Sequence, residues 1–377
     1  MTVDLVWRSL PLSTKELSLS RVLRCGQAFR WNNVNSVWSF STKDRIILLK
    51  QDDQNLHYAY ILAESSKDKN GPESTLLFIA DYFNLDVKLA DLYEQWSQVE
   101  KKCRPGSKTT SFAGFPGIRM LRQDPWETVV LFICSSNNNV KRISKMCHSL
   151  CHEYGTFINE HDGVNYYAFP QPELLAKPEV EDRLRELGFG YRAKYIQRTA
   201  GMFMDNENYP HITLDSLWEL RSKTSEEAHE YLIELCGVGP KVADCISLMC
   251  LDNHDVVPVD THVLQIAVRD YKFKGPKTMN KIAYNQVKKH LRDLFGEYAG
   301  WAQLVMFAAD LSDLNNGINQ VDGQAIKHEV ADMKVEVKKE SYVGKVEQVV
   351  KVEQVERVSG KRKIKTDMVV KKIKTEA

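Results

Sequence analysis

The sequence predicts an α+β protein in which an N-terminal antiparallel β domain packs on an all-α core, followed by a disordered charged tail. Short runs with period-two alternation fill the early part of the chain, helical spacing dominates from residue 117, and the composition changes after about residue 315. Alternation is typical of half-buried strands, and apolar spacing of three and four residues is typical of amphipathic helices. We therefore predict three parts: residues 1–115, 116–315 and 316–377.

Composition excludes several classes of protein. The chain has 377 residues, of which 43% are hydrophobic, enough for two packed domains or for one large domain with an appendage. No apolar run approaches the length of a membrane span, and the N-terminus lacks the apolar core of a secretory signal. The eight cysteines include no C-x-x-C pair, so we expect reduced thiols inside a cell rather than disulfides or a zinc or iron–sulfur site.

The first domain is predicted to be an antiparallel meander. Asn- and Asp-rich turns separate its β-rich runs, residues 1–20 supply an entry strand or loop, and residues 74–98 form a helical cover. The predicted strands are residues 27–31, 37–41, 45–50 and 56–62. Gly26 lies beside Phe29 and Trp31, where a glycine either starts a strand or lets a backbone carbonyl approach a ligand closely.

Two connections in the helical part carry polar side chains. Asp124-Pro125 starts an apolar helix. The helix runs into three asparagines that begin at Asn137, and Arg142 follows them. The asparagine segment is either a helix cap and loop or a contact surface. A later helix ends at Gly188, after which Tyr191 and Arg192 stand at the start of the next. An aromatic beside an arginine suits a wedge into a base step, and the alternative is a core tyrosine under a helix cap.

A helix, a tight hairpin and a second helix are predicted around residue 237. Thr224 and Glu227 have the spacing of a capping box, and Gly237 and Gly239 can both take positive φ. Pro240 suits the first turn of the second helix, whose exposed amides can bind a phosphate. The hairpin therefore indicates contact with a nucleic-acid backbone.

Lys241 and Asp260 are the candidate catalytic pair. Lys241 occupies the first turn of the second helix, where the helix dipole and burial are expected to lower the pKa of its amine and leave it nucleophilic. Asp260 is placed to cap a later helix, from which its carboxylate could face the lysine. The pair suits Schiff-base formation. In the plainer alternative, the glycine turn is a non-catalytic phosphate clamp, Asp260 is only a helix cap and Lys241 is a solvated charge.

The last helix offers a base pocket. Gln303 and Phe307 are four residues apart and share one face, so an amide could read a base edge while the ring stacks on it. Cys245 is likewise four residues from Lys241, and we expect both side chains in one cavity. The plainer alternative places Phe307 in the core and Gln303 on the surface. Helices are also predicted over residues 213–222, 261–271 and 278–295.

These motifs together resemble a known family. LCGVGPKVADC followed by VPVDTH resembles the helix-hairpin-helix DNA glycosylase superfamily, and LRCGQAFRW, FICSSNNN, LGFGYRA and YAGWAQ resemble the 8-oxoguanine DNA glycosylases. The resemblance implies an all-α helix-hairpin-helix glycosylase core and a base-excision-repair enzyme. Such an enzyme flips an oxidised purine out of duplex DNA, removes it, and cleaves the strand as an abasic-site lyase.

The resemblance also implies residue roles. A carbonyl at Gly26 would accept a hydrogen bond from the N7 proton that 8-oxoguanine carries and repel guanine, whose N7 is an acceptor. His262 would hold a phosphate. The implied catalytic residues are Lys241 and Asp260; the base-binding residues are Gly26, Gln303, Phe307 and Cys245; the DNA-binding residues are Asn137, Arg142, Tyr191, Arg192, Gly237, Gly239 and His262. No cofactor or catalytic metal is expected, and the partner is double-stranded DNA, with cytosine opposite the lesion.

Two alternatives stay open at this point. One is a non-catalytic helix-hairpin-helix DNA-binding protein, and the other is a monofunctional alkyl-base glycosylase, which would need no lysine at position 241. The branch that resembles endonuclease III carries a four-cysteine cluster after its catalytic region, and this chain has no cysteine beyond Cys250.

Charge is concentrated in the tail. Residues 327–377 hold 14 basic and 9 acidic residues, so the remaining chain is slightly acidic and a modest salt dependence of DNA binding is expected. The basic clusters at 361–365 and 371–374 predict a nuclear import signal or a nonspecific DNA tether. We expect a monomer in the nucleus, with the mitochondrion as a second destination, and no membrane association.

Overall fold

The structure is a computed structural model that describes residues 5–310 and the backbone of residues 349–358 and 361–370. It divides into two compact units, Met1–Ala325 and Ile326–Ala377. The β domain and the helical core therefore belong to one unit, while the boundary predicted near residue 115 stays a prediction. No helix of the described part is long and apolar enough to cross a bilayer.

A five-stranded antiparallel sheet forms the N-terminal part, in the order β1-β5-β4-β3-β2. Its strands are β1 (Arg8–Pro11), β2 (Asn32–Val34), β3 (Val37–Ser41), β4 (Arg45–Gln51) and β5 (Asn55–Leu62). The meander prediction is confirmed for β3 to β5. The first predicted run, residues 27–31, is not a strand, because Asn35 and Ser36 take positive φ and make a two-residue turn that places the pairing strand at β2.

Two helices, α1 (Leu19–Val22) and α2 (Gly71–Tyr82), cover one face of this sheet. The next two, α3 (Leu89–Cys103) and α4 (Ser111–Gly114), instead bury their apolar residues in the core of the helical part. The single helical region predicted over residues 74–98 is divided by Asn84, which has φ 47°. Ile79 and Phe83 pack with Ile47 and Leu49 of β4 in a buried cluster, so the apolar face of the sheet is closed by α2 and the turn after it.

The rest of the first unit is mainly helical. Its helices are α5 (Pro125–Ser135), α6 (Val140–Tyr154), α7 (Pro172–Leu175), α8 (Val180–Glu186), α9 (Arg192–Met204), α10 (Leu214–Glu219), α11 (Ser225–Glu234), α12 (Pro240–Cys250), α13 (Thr261–Asp270), α14 (Lys281–Phe295) and α15 (Ala299–Asp310), with 3-10 turns at Leu220–Ser222 and Gly296–Tyr298. The predicted caps are present, since Asp124, Thr224 and Asp260 each accept hydrogen bonds from the first amides of α5, α11 and α13.

One β hairpin interrupts the helices, although the sequence predicted only helices after residue 117. Strands β6 (Phe157–His161) and β7 (Val164–Tyr167) are joined by Asp162 and Gly163, both at positive φ. Asp-Gly between β-rich runs is the signature of a tight hairpin turn, so the signal was present. Buried residues of the hairpin pack with Ile46 and Leu48 of β4 and close the second face of the sheet.

Two stretches of the predicted tail form an antiparallel ladder. They are β8 (Val349–Val358) and β9 (Lys361–Val370), with Val349 opposite Val370 and Val358 opposite Lys361. Valine recurs through β8, and β-branched residues favour strands. The rest of the predicted tail, including the basic cluster at 371–374, lies outside the described residues.

Candidate active site

The hairpin between α11 and α12 is set by one glycine in a left-handed conformation. Gly237 has φ +85°, and a Cβ atom there would lie 2.6 Å from Tyr195 Cβ. The hydroxyl of Thr199 donates to the carbonyl of Cys236 at 2.6 Å and fixes the approach to the turn. Gly239, which was also expected to use positive φ, is instead extended, with φ −98° and ψ 177°. It is the N-cap of α12 and is exposed, with no side-chain cap, so it leaves the first amides of α12 uncovered.

The nucleophile candidate lies one turn from a buried thiol. Lys241 is half-buried on α12 and hydrogen-bonded to the side chain of Cys245, as the four-residue spacing predicted. It also interacts electrostatically with the carboxylate of Asp260. Burial raises the pKa of the Cys245 thiol, which Lys241 opposes, and the sulfur stays protonated at neutral pH.

The prediction of a lowered pKa at Lys241 is wrong. The pKa of this ammonium group is raised, first by the Cys245 sulfur and further by Asp260, and burial acts in the opposite direction without overcoming them. The sequence shows the helix start at Lys241 but not the charged and polar neighbours that the fold brings to its amine. The free protein therefore holds Lys241 mainly as the ammonium, and a proton must leave before the amine can attack.

Asp260 is fixed by the helix that it caps. Its Oδ1 accepts hydrogen bonds from the amides of His262 and Val263, each at 2.9 Å. The preceding residues 256–259 are buried and belong to no helix or strand. Upstream, the amide of Gly300 donates to the carbonyl of His254 at 2.9 Å, which draws α15 against this segment. The carboxylate thus sits at the N-terminus of α13.

The predicted base-binding residues converge from opposite ends of the chain. Gly26 has φ +89°, and a Cβ there would lie 3.9 Å from Phe307 Cε1 and 4.0 Å from Val140 Cγ2. The ring of His262 meets Phe307 edge to face, with centroids 5.5 Å apart. Gln303 is buried one turn before Phe307, so its placement at the surface is excluded. Only the fold brings Gly26 of the β domain to the face of α15.

The segments predicted to enter the duplex also meet. Tyr191 is 46% exposed, yet its hydroxyl donates to the carbonyl of Ser136 at 3.0 Å. Arg192, which was expected to offer its guanidinium to DNA, is buried instead and holds the carbonyls of Ser136 and Asn137. Arg142 is exposed and donates to the carbonyl of Gly188 at 3.1 Å. The fold therefore uses Arg192 to join the turn before α9 to the loop after α5, while Asn137 and Arg142 face outward.

Two acidic residues near the site were not predicted. Asp310 lies one turn after Phe307 on α15. Its Oδ2 is 2.7 Å from His262 Nε2, but the two atoms are not aligned as a hydrogen bond. Asp244, on α12 between the two predicted side chains, is buried among polar partners. A lone acidic residue in a motif that already contains Lys and Cys gives no signal of its own. The two described clefts of about 610 and 370 Å³ are lined by residues other than Lys241 and Asp260.

Comparisons with known proteins agree with this geometry. Residues 9–129 match the family model "8-oxoguanine DNA glycosylase, N-terminal domain", and residues 130–295 match "HhH-GPD superfamily base excision DNA repair protein". The N-glycosylase/DNA lyase of Saccharomyces cerevisiae is 38% identical over 331 residues, which cover 80% of this chain and 85% of that protein. The chain belongs to the 8-oxoguanine DNA glycosylase family.

Further members support this placement. N-glycosylase/DNA lyase OGG1 of Arabidopsis thaliana is 34% identical, covering 86% of this chain and 88% of that protein. The crystal structure of the 8-oxoguanine glycosylase/lyase of Clostridium acetobutylicum, in complex with dsDNA containing cytosine opposite to 8-oxoG, superposes with a TM-score of 0.66 at 25% identity. That match covers 84% of this chain and 99% of that chain. The resemblance read from separate motifs is thus a similarity over most of an 8-oxoguanine DNA glycosylase.

Proposed function

We propose that this chain removes 8-oxoguanine from duplex DNA by base flipping and then cleaves the strand through a Schiff base on Lys241. The observation that carries this function is that Lys241, in a member of this family, is hydrogen-bonded to Cys245 and interacts electrostatically with Asp260. A primary amine beside a carboxylate, at the N-terminus of a helix with uncovered amides, combines a nucleophile with a phosphate-binding turn. A non-catalytic DNA-binding protein of this fold would have no need for the pair.

Recognition of the base is assigned to Gly26, Gln303, Phe307 and Cys245. The carbonyl of Gly26 would accept the N7 proton of 8-oxoguanine, and the same carbonyl would face a lone pair in guanine. The ring of Phe307 supplies a stacking surface, and the amide of the buried Gln303 supplies donors and acceptors for a base edge. His262, whose ring lies beside Phe307, is proposed to contact a phosphate.

The reaction then proceeds in two parts. After Lys241 loses its extra proton, its lone pair forms a bond to C1′ while the electron pair of the C1′–N9 bond leaves with the base, which takes up a proton. Asp260 stabilises the positive charge that develops on the sugar. Loss of the second amine proton and opening of the C1′–O4′ bond give the imine. Removal of a C2′ proton then expels the 3′ phosphate by β-elimination.

Borohydride trapping tests the chemistry. The wild-type protein, incubated with an 8-oxoguanine duplex and borohydride, should form a covalent protein–DNA product, because reduction converts the imine into a stable amine. Lys241→Gln should give no such product yet keep its affinity for the same duplex. Trapping that survives in Lys241→Gln, or its absence in the wild type, would contradict the assignment.

Cytosine is the proposed base opposite the lesion. Asn137 and Arg142 face outward from adjoining elements, where amide and guanidinium groups can hydrogen-bond to an unpaired cytosine. Single-turnover excision from four duplexes that differ only in the opposite base should be fastest with cytosine. Asn137→Ala and Arg142→Ala should reduce that preference more than they reduce the rate opposite the other bases.

Oligomeric state and localisation are also proposals. We expect a monomer, which light scattering after gel filtration would establish. The basic clusters of the tail support import into the nucleus, with the mitochondrion as a second destination. A fluorescent fusion should lose its nuclear enrichment when the lysines and arginines of 361–365 and 371–374 are changed to serine. Unchanged enrichment would exclude these clusters as the signal.

A further inference from the structure

A buried acidic residue lies on the catalytic helix, outside the groups that react. Asp244 of α12 is 2% exposed, yet three donors surround its carboxylate. His229 Nδ1 lies 3.2 Å from Oδ1, Lys288 Nζ lies 2.8 Å from Oδ2, and the hydroxyl of Tyr284 also donates to Oδ2. Burial alone would raise the pKa of Asp244, but the bond from His229 and the charge and bond of Lys288 lower it, so the group is a carboxylate at neutral pH. A fully partnered buried charge holds its neighbours in a fixed arrangement.

The donors come from the two elements that flank the catalytic helix. His229 belongs to α11, which leads into the hairpin, whereas Tyr284 and Lys288 lie one turn apart on α14. Asp244 is three residues after Lys241 and precedes Cys245, so the carboxylate anchors the turn that carries both. The network therefore fixes the rotation and the axial position of α12 against its neighbours.

The same network reaches the second catalytic group. The hydroxyl of Tyr284 is also hydrogen-bonded to the backbone of Val259, the residue that precedes Asp260. One phenol thus joins the carboxylate on the helix of the nucleophile to the backbone that presents the catalytic acid. Its pKa is raised by burial and by Asp244, which keeps the hydroxyl proton in place for the carboxylate.

We propose that Asp244 and Tyr284 are positioning residues that set the separation between Lys241 and Asp260. The inference rests on the proposed function, since it concerns the lysine and the carboxylate of that reaction. Neither residue is assigned a contact with the sugar or the base in that reaction. Their contribution is to hold the amine in the geometry from which it attacks C1′, where an error of about 1 Å can reduce a rate by about 100-fold.

The charge of Asp244 has a second consequence for the same helix. It raises the pKa of Cys245, adding to the larger effect of burial, and so favours the thiol over the thiolate. A thiol can hydrogen-bond to Lys241 without fixing it as a tight ion pair. Removal of the Asp244 charge would therefore alter both the position of the Lys241 amine and the pKa of the Cys245 thiol to which it is hydrogen-bonded.

Tyr284→Phe is the informative variant, because it removes one hydroxyl and leaves the ring, Asp244, His229 and Lys288 in place. We expect the single-turnover rate of imine formation at saturating DNA to fall by about 10- to 100-fold. The dissociation constant for a duplex with an uncleavable abasic-site analogue should stay within about twofold of wild type. Asp244→Asn should show the same division between rate and binding, with a larger loss of rate.

Glu100→Gln serves as the matched control. Glu100 is 1% exposed and is hydrogen-bonded to Ser111 and Arg104, so its replacement also disturbs a buried acidic network, but on α3. This variant should lose stability in urea without losing the rate of imine formation. If Tyr284→Phe keeps the wild-type rate, or loses no more of it than Glu100→Gln at equal loss of stability, the inference is overturned.

The two failures are distinguishable. If the wild-type protein forms no imine, the proposed function is overturned. If wild type and Tyr284→Phe form the imine at the same rate, only the positioning role is overturned. A crystal structure of Tyr284→Phe with an unchanged distance from Lys241 Nζ to the Asp260 carboxylate would also overturn it. If Asp244→Asn does not fold, Tyr284→Phe still decides the outcome.

Discussion

Replacement of Gly237 by alanine should damage the hairpin in two additive ways. An alanine at φ +85° costs about 1–2 kcal/mol relative to a right-handed conformation. Its Cβ would also lie 2.6 Å from both Cβ and Cγ of Tyr195, and relief of such overpacking typically costs about 1–3 kcal/mol. We therefore expect the free energy of unfolding, measured by urea denaturation, to fall by about 2–5 kcal/mol.

Binding should respond differently from stability. The displaced turn would move the uncovered amides at the start of α12, so affinity for an abasic-analogue duplex should decrease. Neutral amides release no counterions, so the slope of log K against log salt concentration should stay the same. Gly239→Ala is the control for stability alone, because φ −98° suits alanine and no atom lies within 4 Å of the added Cβ. A Gly237→Ala protein as stable as Gly239→Ala would exclude strain at the hairpin, and a changed salt slope would exclude binding through neutral amides alone.

Three further outcomes are expected. Because the pKa of Lys241 is raised, the rate of imine formation on a preformed abasic site should increase about tenfold per pH unit between about pH 7 and pH 9; a flat profile would show that proton loss from the amine does not limit the step. Arg192→Ala, which frees the carbonyls of Ser136 and Asn137, should lower the free energy of unfolding in urea by about 1–3 kcal/mol, and a neutral effect would contradict the structural role. Gly26→Ala fits sterically but is strained at φ +89°, so it should reduce the ratio of 8-oxoguanine to guanine excision; an unchanged ratio would remove Gly26 from base recognition.

Much of the fold followed from local chemistry. The caps at Asp124, Thr224 and Asp260, and the alternation in β3 to β5, depend on residues close in sequence, and the structure confirms them. The errors lie where one local signal outweighs another. The turn at Asn35 and Ser36 displaced the first paired strand, and a single residue, Asn84, divided one apolar segment into two helices. Propensity sums over a window do not detect such single positions.

The site was less predictable, because its properties depend on neighbours that are distant in sequence. The spacing of Lys241 and Cys245 gave their shared face, but the pKa of the lysine is raised first by the Cys245 sulfur and further by Asp260, which lies nineteen positions later. Arg192 has the sequence appearance of a surface cation, and only the fold supplies the carbonyls of Ser136 and Asn137 that bury it. Local periodicity does not indicate that Asp260 lies near Lys241, or that these two carbonyls lie near Arg192.

The position of Gly26 explains why the β domain and the helical core belong to one unit. A carbonyl that distinguishes one proton on a purine must be held to a few tenths of an ångström, and a loop on its own cannot hold it so. Phe29, three residues after Gly26, is buried against Phe132 of α5, with ring centroids 5.9 Å apart. The side-chain amide of Gln27 donates to the carbonyl of Arg119 at 3.0 Å. The loop is thereby fixed to the helical core, which also carries Phe307. A variant that loosens this attachment, such as Phe29→Ala, should therefore lose discrimination between the damaged and the normal base before it loses the ability to form the imine.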